Sequence, residues 1–365
     1  MAVAAGRRRG GLVIMRVLFD ITHPAQVHFF GNVIRLLRKN GHQVVITTRE
    51  KDVAISLLKA LGMEHLCLSR EGTGLVGMAG ELLQRYARVL AVARAFQPDV
   101  MVAEAGVSIG LVGLLLGIPR VVFESAEHAR LQQVLGLPFA TSIFTDITYR
   151  KQCGARHRRF RGVWVYSHLA PQYFKPDPAR LRRAGVDPDQ PYIVLRTVAW
   201  SAAHDIGLRG SSHKELQDVV NRLSAFGRVL ISSERSLPTA LQPFANPLPP
   251  EDMHHLLAMA SLYLGEGGTM AAEAATLGTP SVYCNRLDTG YTVALEKRYH
   301  LLHSAGDLSE GVRIAEDLLR RPNVRQEWQR RRRRLLDESE DVGKFMFDLI
   351  EQAAARRHAW RGAHG

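Results

Sequence analysis

Residues 264–285 read LGEGGTMAAEAATLGTPSVYCN. A short apolar run at 261–264 enters Gly265, Glu266, Gly267, Gly268 and Thr269. An alanine-rich stretch with helical periodicity follows at once, and Gly278, Thr279 and Pro280 lead into a second β-like run at 281–284. The order is strand, glycine loop, helix, turn, strand. Glycines between a strand and a helix N-terminus let a ligand approach the backbone, and the first free N–H groups of the helix point at a bound anion. Gly267, Gly268 and Thr269 are therefore candidate diphosphate ligands. Glu273, about one turn into the helix, is placed to accept hydrogen bonds from a ribose diol. A glycine loop alone also serves simply to turn the chain in many αβ units, so its surroundings must carry the rest.

The surroundings are αβ throughout. Strands are predicted at 16–20 (RVLFD), 43–47 (QVVIT), 99–103 (DVMVA) and 120–124 (RVVFE), with helices at 27–39, 52–61, 81–96 and 108–116 between them. Phe29, Val33, Leu36 and Leu37 form the apolar face of the first helix. After 154–191, a stretch rich in Arg, Asp and Pro, the rhythm resumes with strands at 192–196 and 228–232 and helices at 214–223 and 251–259. Such alternation implies parallel sheets with right-handed crossovers. A chain of 365 residues suits two domains. The expected division is a disordered leader at 1–14, a Rossmann-like domain at 15–170, a linker at 171–191, a second Rossmann-like domain at 192–330, and a basic helix and tail at 331–365.

The net charge is +13, with 46% hydrophobic and 23% charged residues, which fits a soluble globular protein with anionic partners. Arg330–Arg334 reads as a solvated helix edge. The longest apolar stretch, 105–123, is cut by four glycines and Pro119 into a buried helix and a core strand rather than a membrane span. Three cysteines, Cys67, Cys153 and Cys284, lie far apart and make no metal or redox spacing. None of the 15 histidines has metal-site spacing, so neither metal nor cofactor is expected. No nucleic-acid-binding module is recognisable. A cytoplasmic location is expected.

The spacing of Gly267, Glu273, Gly278 and Pro280 resembles the donor-nucleotide element of GT-B glycosyltransferases, especially the N-acetylglucosaminyl transferase that completes lipid II. The non-hydrolysing UDP-sugar 2-epimerases carry a similar element. Residues 98–124, PDVMVAEAGVSIGLVGLLLGIPRVVFE, and 16–30, RVLFDITHPAQVHFF, are similar to N-domain segments of the transferase. HPAQVH together with GEGGTMAAEA resembles more closely a GT-B-like family of archaeal and bacterial proteins of unknown function. The resemblance implies two Rossmann-like parallel-sheet domains facing across a cleft. It implies that the glycine end cradles pyrophosphate and that Glu273 holds ribose. The expected activity is glycosyl transfer from a nucleotide-diphosphate sugar, a UDP-sugar first, to a glycan or lipid-linked acceptor in cell-surface glycan or polysaccharide biosynthesis. The alternatives are UDP-sugar 2-epimerisation and nonenzymatic nucleotide-sugar binding.

Three further groups carry candidate chemistry. In doubly wound sheets ligands bind beyond the carboxyl ends of strands, where 20–28, with His23 and His28, follows the first strand. A histidine there suits proton abstraction from an acceptor hydroxyl; the alternative is that it caps or packs the helix start. His28 is expected at that start and His23 in the loop. Glu104 and Glu124 end successive strands, with Glu127 and His128 nearby, and suit acid–base work; the alternative is that Glu127 caps a helix and Glu124 holds a loop. Arg196 and the hydroxyl-rich loop that ends in Ser211 and Ser212 suit phosphate binding; the alternative is a surface loop. Residues 72–96 mix Leu75, Val76 and Met78 with Arg85, Arg88 and Arg94, a composition that suits peripheral contact at the inner face of a membrane as well as ordinary packing.

Overall fold

The computed structural model describes residues 8–9, 12–51, 53–198 and 212–364. They form two compact units, Met1–His168 with Glu340–Gly365, and Leu169–Ser339.

The first unit contains β1 (Arg16–Ile21), α1 (Pro24–Lys39), β2 (Gln43–Glu50), α2 (Ala54–Ala60), β3 (Leu66–Arg70), α3 (Gly74–Phe96), β4 (Val100–Glu104), α4 (Val107–Leu115), β5 (Arg120–Phe123), α5 (Arg130–Gly136), β6 (Ser142–Asp146) and β7 (His157–Phe160). The seven strands are all parallel, in the order β3-β2-β1-β4-β5-β6-β7. The central strands β1, β4 and β5 are mostly apolar with both faces buried, as a parallel sheet covered by helices on each side requires. Strand order reverses between β1 and β4, so the crevice beyond their carboxyl ends is the switch point at which such sheets bind ligands. Phe29, Phe30, Val33, Ile34 and Leu37 of α1 are buried, and Leu36 is only half-buried. The α4 helix is less buried than its composition suggests, because Leu114 and Leu115 are exposed.

The second unit contains α6 (Pro178–Arg183), β8 (Tyr192–Thr197), α7 (His213–Leu223), β9 (Arg228–Ser233), α8 (Met253–Met259), β10 (Leu262–Gly265), α9 (Gly268–Leu277), β11 (Ser281–Cys284), α10 (Gly290–Lys297), β12 (Leu302–Ala305), α11 (Leu308–Arg320) and α12 (Val324–Glu338). Its five strands are parallel, in the order β9-β8-β10-β11-β12. The last helix, α13 (Val342–His364), returns to the first unit. There the Phe345 ring meets Phe144 and Phe160, and Arg357 donates to the Pro98 carbonyl.

The arginine run is a solvated edge only in part: Arg330, Arg333 and Arg334 are exposed, whereas Arg331 and Arg332 are half-buried, and several side chains of the helix reach carbonyls of its neighbours. On α12, Arg325 donates to the carbonyls of Ala258 and Met259 at the end of α8, at 3.0 and 2.9 Å. Arg332 and Gln329 donate to Thr276, Leu277 and Gly278 at the end of α9. Arg334 reaches the Arg298 carbonyl just past α10. Cations beside helix C-termini complement the dipole and satisfy carbonyls that have no intrahelical partner. Gly278 closes α9 at φ +81°, a left-handed cap natural to glycine.

Candidate functional site

In the second unit, the carboxyl ends of β8, β10 and β11 carry the glycine loop. Gly265 ends β10 against β8; a Cβ there would lie 2.6 Å from the Arg196 Cβ and 2.7 Å from its carbonyl oxygen. Glycine is therefore a steric requirement at 265. Gly267, the N-cap of α9, has ordinary extended backbone at φ −90°, and an added Cβ would meet nothing closer than 3.6 Å. Its value is the open approach it leaves to the helix N-terminus, not an unusual φ. Gly268 opens the helix beside the Tyr283 hydroxyl.

Glu266 is buried and accepts the Val198 N–H at 3.1 Å, while its own carbonyl accepts from Asn285 at 3.2 Å. These bonds tie three strand ends together around the loop. Among the described residues no side chain caps α9 and no acidic residue lies in its first turn. In the same unit α8 and α12 also lack a side-chain cap, whereas α7, α10 and α11 are capped by Ser212, Thr289 and Asp307. The N–H groups that start α9 are thus left for another acceptor.

Glu273 lies one turn in and is buried, its Oε1 3.1 Å from Nε2 of His254 on α8. Arg196 turns to Glu234 at 2.5 Å and to Ser232 at 2.9 Å. Ser212 makes a capping box with Glu215 at the start of α7. Ser211 and the loop before it lie outside the described residues.

In the first unit the helix begins earlier than the pattern predicts, and this reverses the placing of the two histidines. His23 is the N-cap of α1, its Nδ1 accepting the Ala25 N–H at 3.2 Å, and Pro24 fills the first helical position. His28 is a turn further in, half-buried, its ring stacked on His168 with centroids 5.5 Å apart. Beneath this loop, Asp20 and Arg85 form a buried ion pair at 2.5 Å, and Arg49 donates to the Thr22 carbonyl at 3.2 Å.

Glu104 ends β4, where it pairs with Phe123 at the end of β5, and Glu124 follows that strand directly. Directly after Glu104 the backbone is strained: Ala105 has φ +56° and Gly106 φ +73°. A left-handed alanine costs about 1–2 kcal/mol, and such strain collects where a side chain must be aimed. Glu124 is 3% exposed, and burial first, then the neighbouring Glu104 charge, pushes its carboxyl up to about 8. Glu104 is also raised, by burial, against hydrogen bonds from Ser125 and Gln26. Glu127 does not cap a helix but pairs with Arg150 at 2.9 Å.

Gln26 bears on both groups of candidates. Its Oε1 accepts the Thr22 N–H at 2.7 Å, which fixes the histidine loop to the start of α1, and its side chain is among the groups that favour the Glu104 charge against burial. The motif HPAQVH contained Gln26, but a glutamine at the third position of a helix carries no signal until the fold brings β4 beside it.

The family model for a protein family of unknown function, DUF354, matches residues 15–355. The chain belongs to the DUF354 family. One relative is an uncharacterised protein of Methanocaldococcus jannaschii, MJ0665, 24% identical over 84% of this chain and 93% of the relative. Among solved structures, the DUF354 chain is similar to UDP-GlcNAc 2-epimerase from Neisseria meningitidis bound to UDP-GlcNAc, with TM-score 0.68 and 12% identity over 93% of this chain and 100% of that one. The Methanocaldococcus jannaschii epimerase gives 0.64 at 14% identity, covering 93% and 100%. The glycotransferase of kitacinnamycin gives 0.59 at 12% identity, covering 93% and 99%. At these identities the likeness shows the fold, which is GT-B-like.

Proposed function

We propose that this DUF354 protein is an enzyme that acts on a nucleoside-diphosphate sugar at the bond between the sugar and the diphosphate. The uncapped N-terminus of α9, opened by Gly267 and Gly268, carries the reading. In it, Gly267, Gly268 and Thr269 hold the diphosphate and Glu273 the ribose. The helix dipole stabilises the departing nucleoside diphosphate. Glycosyl transfer to a glycan or lipid-linked acceptor is the first form, with His28, His23 or Glu124 taking the acceptor proton. The second form, 2-epimerisation, is favoured by one observation: two carboxyls, Glu104 and Glu124, stand at the ends of adjacent paired strands, and burial raises both, Glu124 to about 8. Elimination and re-addition use a pair of carboxyls as acid and base.

Incubating purified protein with a panel of nucleotide-sugars separates the two. Nucleoside diphosphate released only with acceptor marks transfer; a changed sugar without acceptor marks epimerisation. Failure to bind any nucleotide-sugar would remove the proposal altogether.

Peripheral contact with an anionic membrane is the companion reading. No described helix is long and apolar enough to cross a membrane. On the first unit, α3, α4 and α5 expose Val76, Leu83, Leu115 and Val134 beside exposed Arg88, Arg94 and Arg130. The five carboxylates of residues 72–140 (Glu81, Asp99, Glu104, Glu124 and Glu127) are all buried or half-buried. Exposed apolar side chains interspersed with arginine suit anionic lipid. Sedimentation with anionic but not zwitterionic vesicles is the expected result; equal recovery with both would refute it.

A further inference from the structure

Two histidines stand next to each other on α8, His254 and His255, and the fold sends them to different partners. His255 accepts the Asp177 N–H on Nδ1 at 3.0 Å, at the start of α6, and its ring lies against Phe174. His254 reaches α9, where its Nε2 is 3.1 Å from Oε1 of Glu273, and both side chains are buried. An ionised carboxylate offers only acceptor sites, so the bond runs from Nε2–H to Oε1. The support beneath His254 is itself fixed. The hydroxyls of Tyr192 and Thr279 donate to the Leu256 and Leu257 carbonyls of α8 at 2.7 Å each, and the Phe174 ring meets His254 edge-on with centroids 6.1 Å apart.

Packing does not account for this pair. Its neighbours on α9, Ala271, Ala272, Ala274 and Ala275, are small, apolar and fully buried. A buried carboxylate needs a partner to be tolerated at all, and such a pair gives no more stability, as a rule, than apolar residues of the same volume. What the pair does give is order. A glutamate that grips a ligand otherwise loses its rotamer freedom at that moment, a cost that preorganisation removes.

We propose that His254 is a positioning residue for ribose recognition: by holding Oε1 of Glu273 it fixes the carboxylate before a nucleotide arrives, and so sets the preference for ribose over 2′-deoxyribose. The inference rests on the reading of Glu273 as the ribose ligand given above.

The test is calorimetry of the full chain with UDP, GDP and their 2′-deoxy counterparts. The parent should favour the ribonucleotide by roughly ten- to a hundredfold, the size of a hydrogen bond to a charged group. His254→Leu removes the donor and should shrink that preference by roughly two- to tenfold, the cost of ordering one long side chain on binding, while affinity for the 2′-deoxy ligand changes little. His254→Gln places an amide N–H near the position of Nε2 and should restore most of the preference. If His254→Leu does not fold, His254→Asn, polar but too short to reach Oε1, takes its place in the comparison. A merely structural histidine would weaken both kinds of ligand alike, or lower the melting temperature alone, with no rescue by glutamine; either result overturns the proposal. A preference abolished by Glu273→Ala but untouched by His254→Leu overturns it and leaves the ribose reading standing. A preference that survives Glu273→Ala, or no nucleotide binding at all, removes the ribose reading and this proposal with it.

Discussion

Replacing Glu124 with Gln should make the protein more stable in alkali. In the folded chain the carboxyl titrates at about 8, against an ordinary value of 4.5. The folded state therefore binds this proton more tightly than the unfolded state. Stability from the protonated group is fully present below about pH 4.5, falls as pH rises, and is lost once pH passes about 8. At about 1.36 kcal/mol per unit the loss approaches 5 kcal/mol, a ceiling that local relaxation and water entry lower to about 2–5 kcal/mol. Glutamine keeps the shape and the uncharged state at every pH. Urea unfolding of parent and Glu124→Gln at pH 5 and pH 9 should therefore show near equality in acid and a gap of that size in alkali, the variant being the more stable. A gap of the same size at both pH values would refute the burial argument, since a shape effect does not titrate. Asp146, also buried and raised to about 6, contributes to the parent's decline in the same direction but is present in both proteins and cancels in the comparison.

Gly265→Ala should cost about 1–3 kcal/mol by overpacking against Arg196, whereas Gly267→Ala should melt within about 1 kcal/mol of the parent; the reverse order would contradict the loop geometry. Gly267→Val should fold yet lose diphosphate ligands more than the bare nucleoside, as read by calorimetry. Glu273→Ala should weaken nucleotide binding by about 1–3 kcal/mol, and unchanged affinity for UDP, GDP and their sugars would end the ribose assignment. His23→Ala should lose a helix cap and about 0.5–2 kcal/mol of stability. Both His23→Ala and His28→Ala should spare donor affinity. A turnover loss of about 10²–10⁴ in either would mark it as a base, while normal rates in both beside an inactive Glu124→Gln would favour the carboxyl pair.

What the sequence shows plainly is what repeats with a period. The strands β1, β4, β5 and β11 each hold a short apolar run, and both sheets are legible from them. The edge strands were missed for a physical reason. Strand β7 reads HRRF and exposes Arg158 and Arg159, and β3 is half exposed, so neither has the apolar pattern that signals a buried strand. The contacts of α12 left no signal because their partners are main-chain carbonyls 36 to 66 residues distant, and carbonyls leave no trace in a sequence. The candidate site was legible where backbone chemistry dictates the residue, at the glycine loop. It was not legible at Gln26, whose role depends on which strand the crossover returns beside α1.

The α12 helix gives the second unit a shared failure point. Three helices end on its side chains, so the last turns of α8, α9 and α10 should not fray one by one. Lifting α12 strips all three of their terminal carbonyl partners together, and hydrogen exchange should report those turns opening with a common rate. An anion bound at the far end of α9 would be felt there as slower exchange, although it touches none of the arginines.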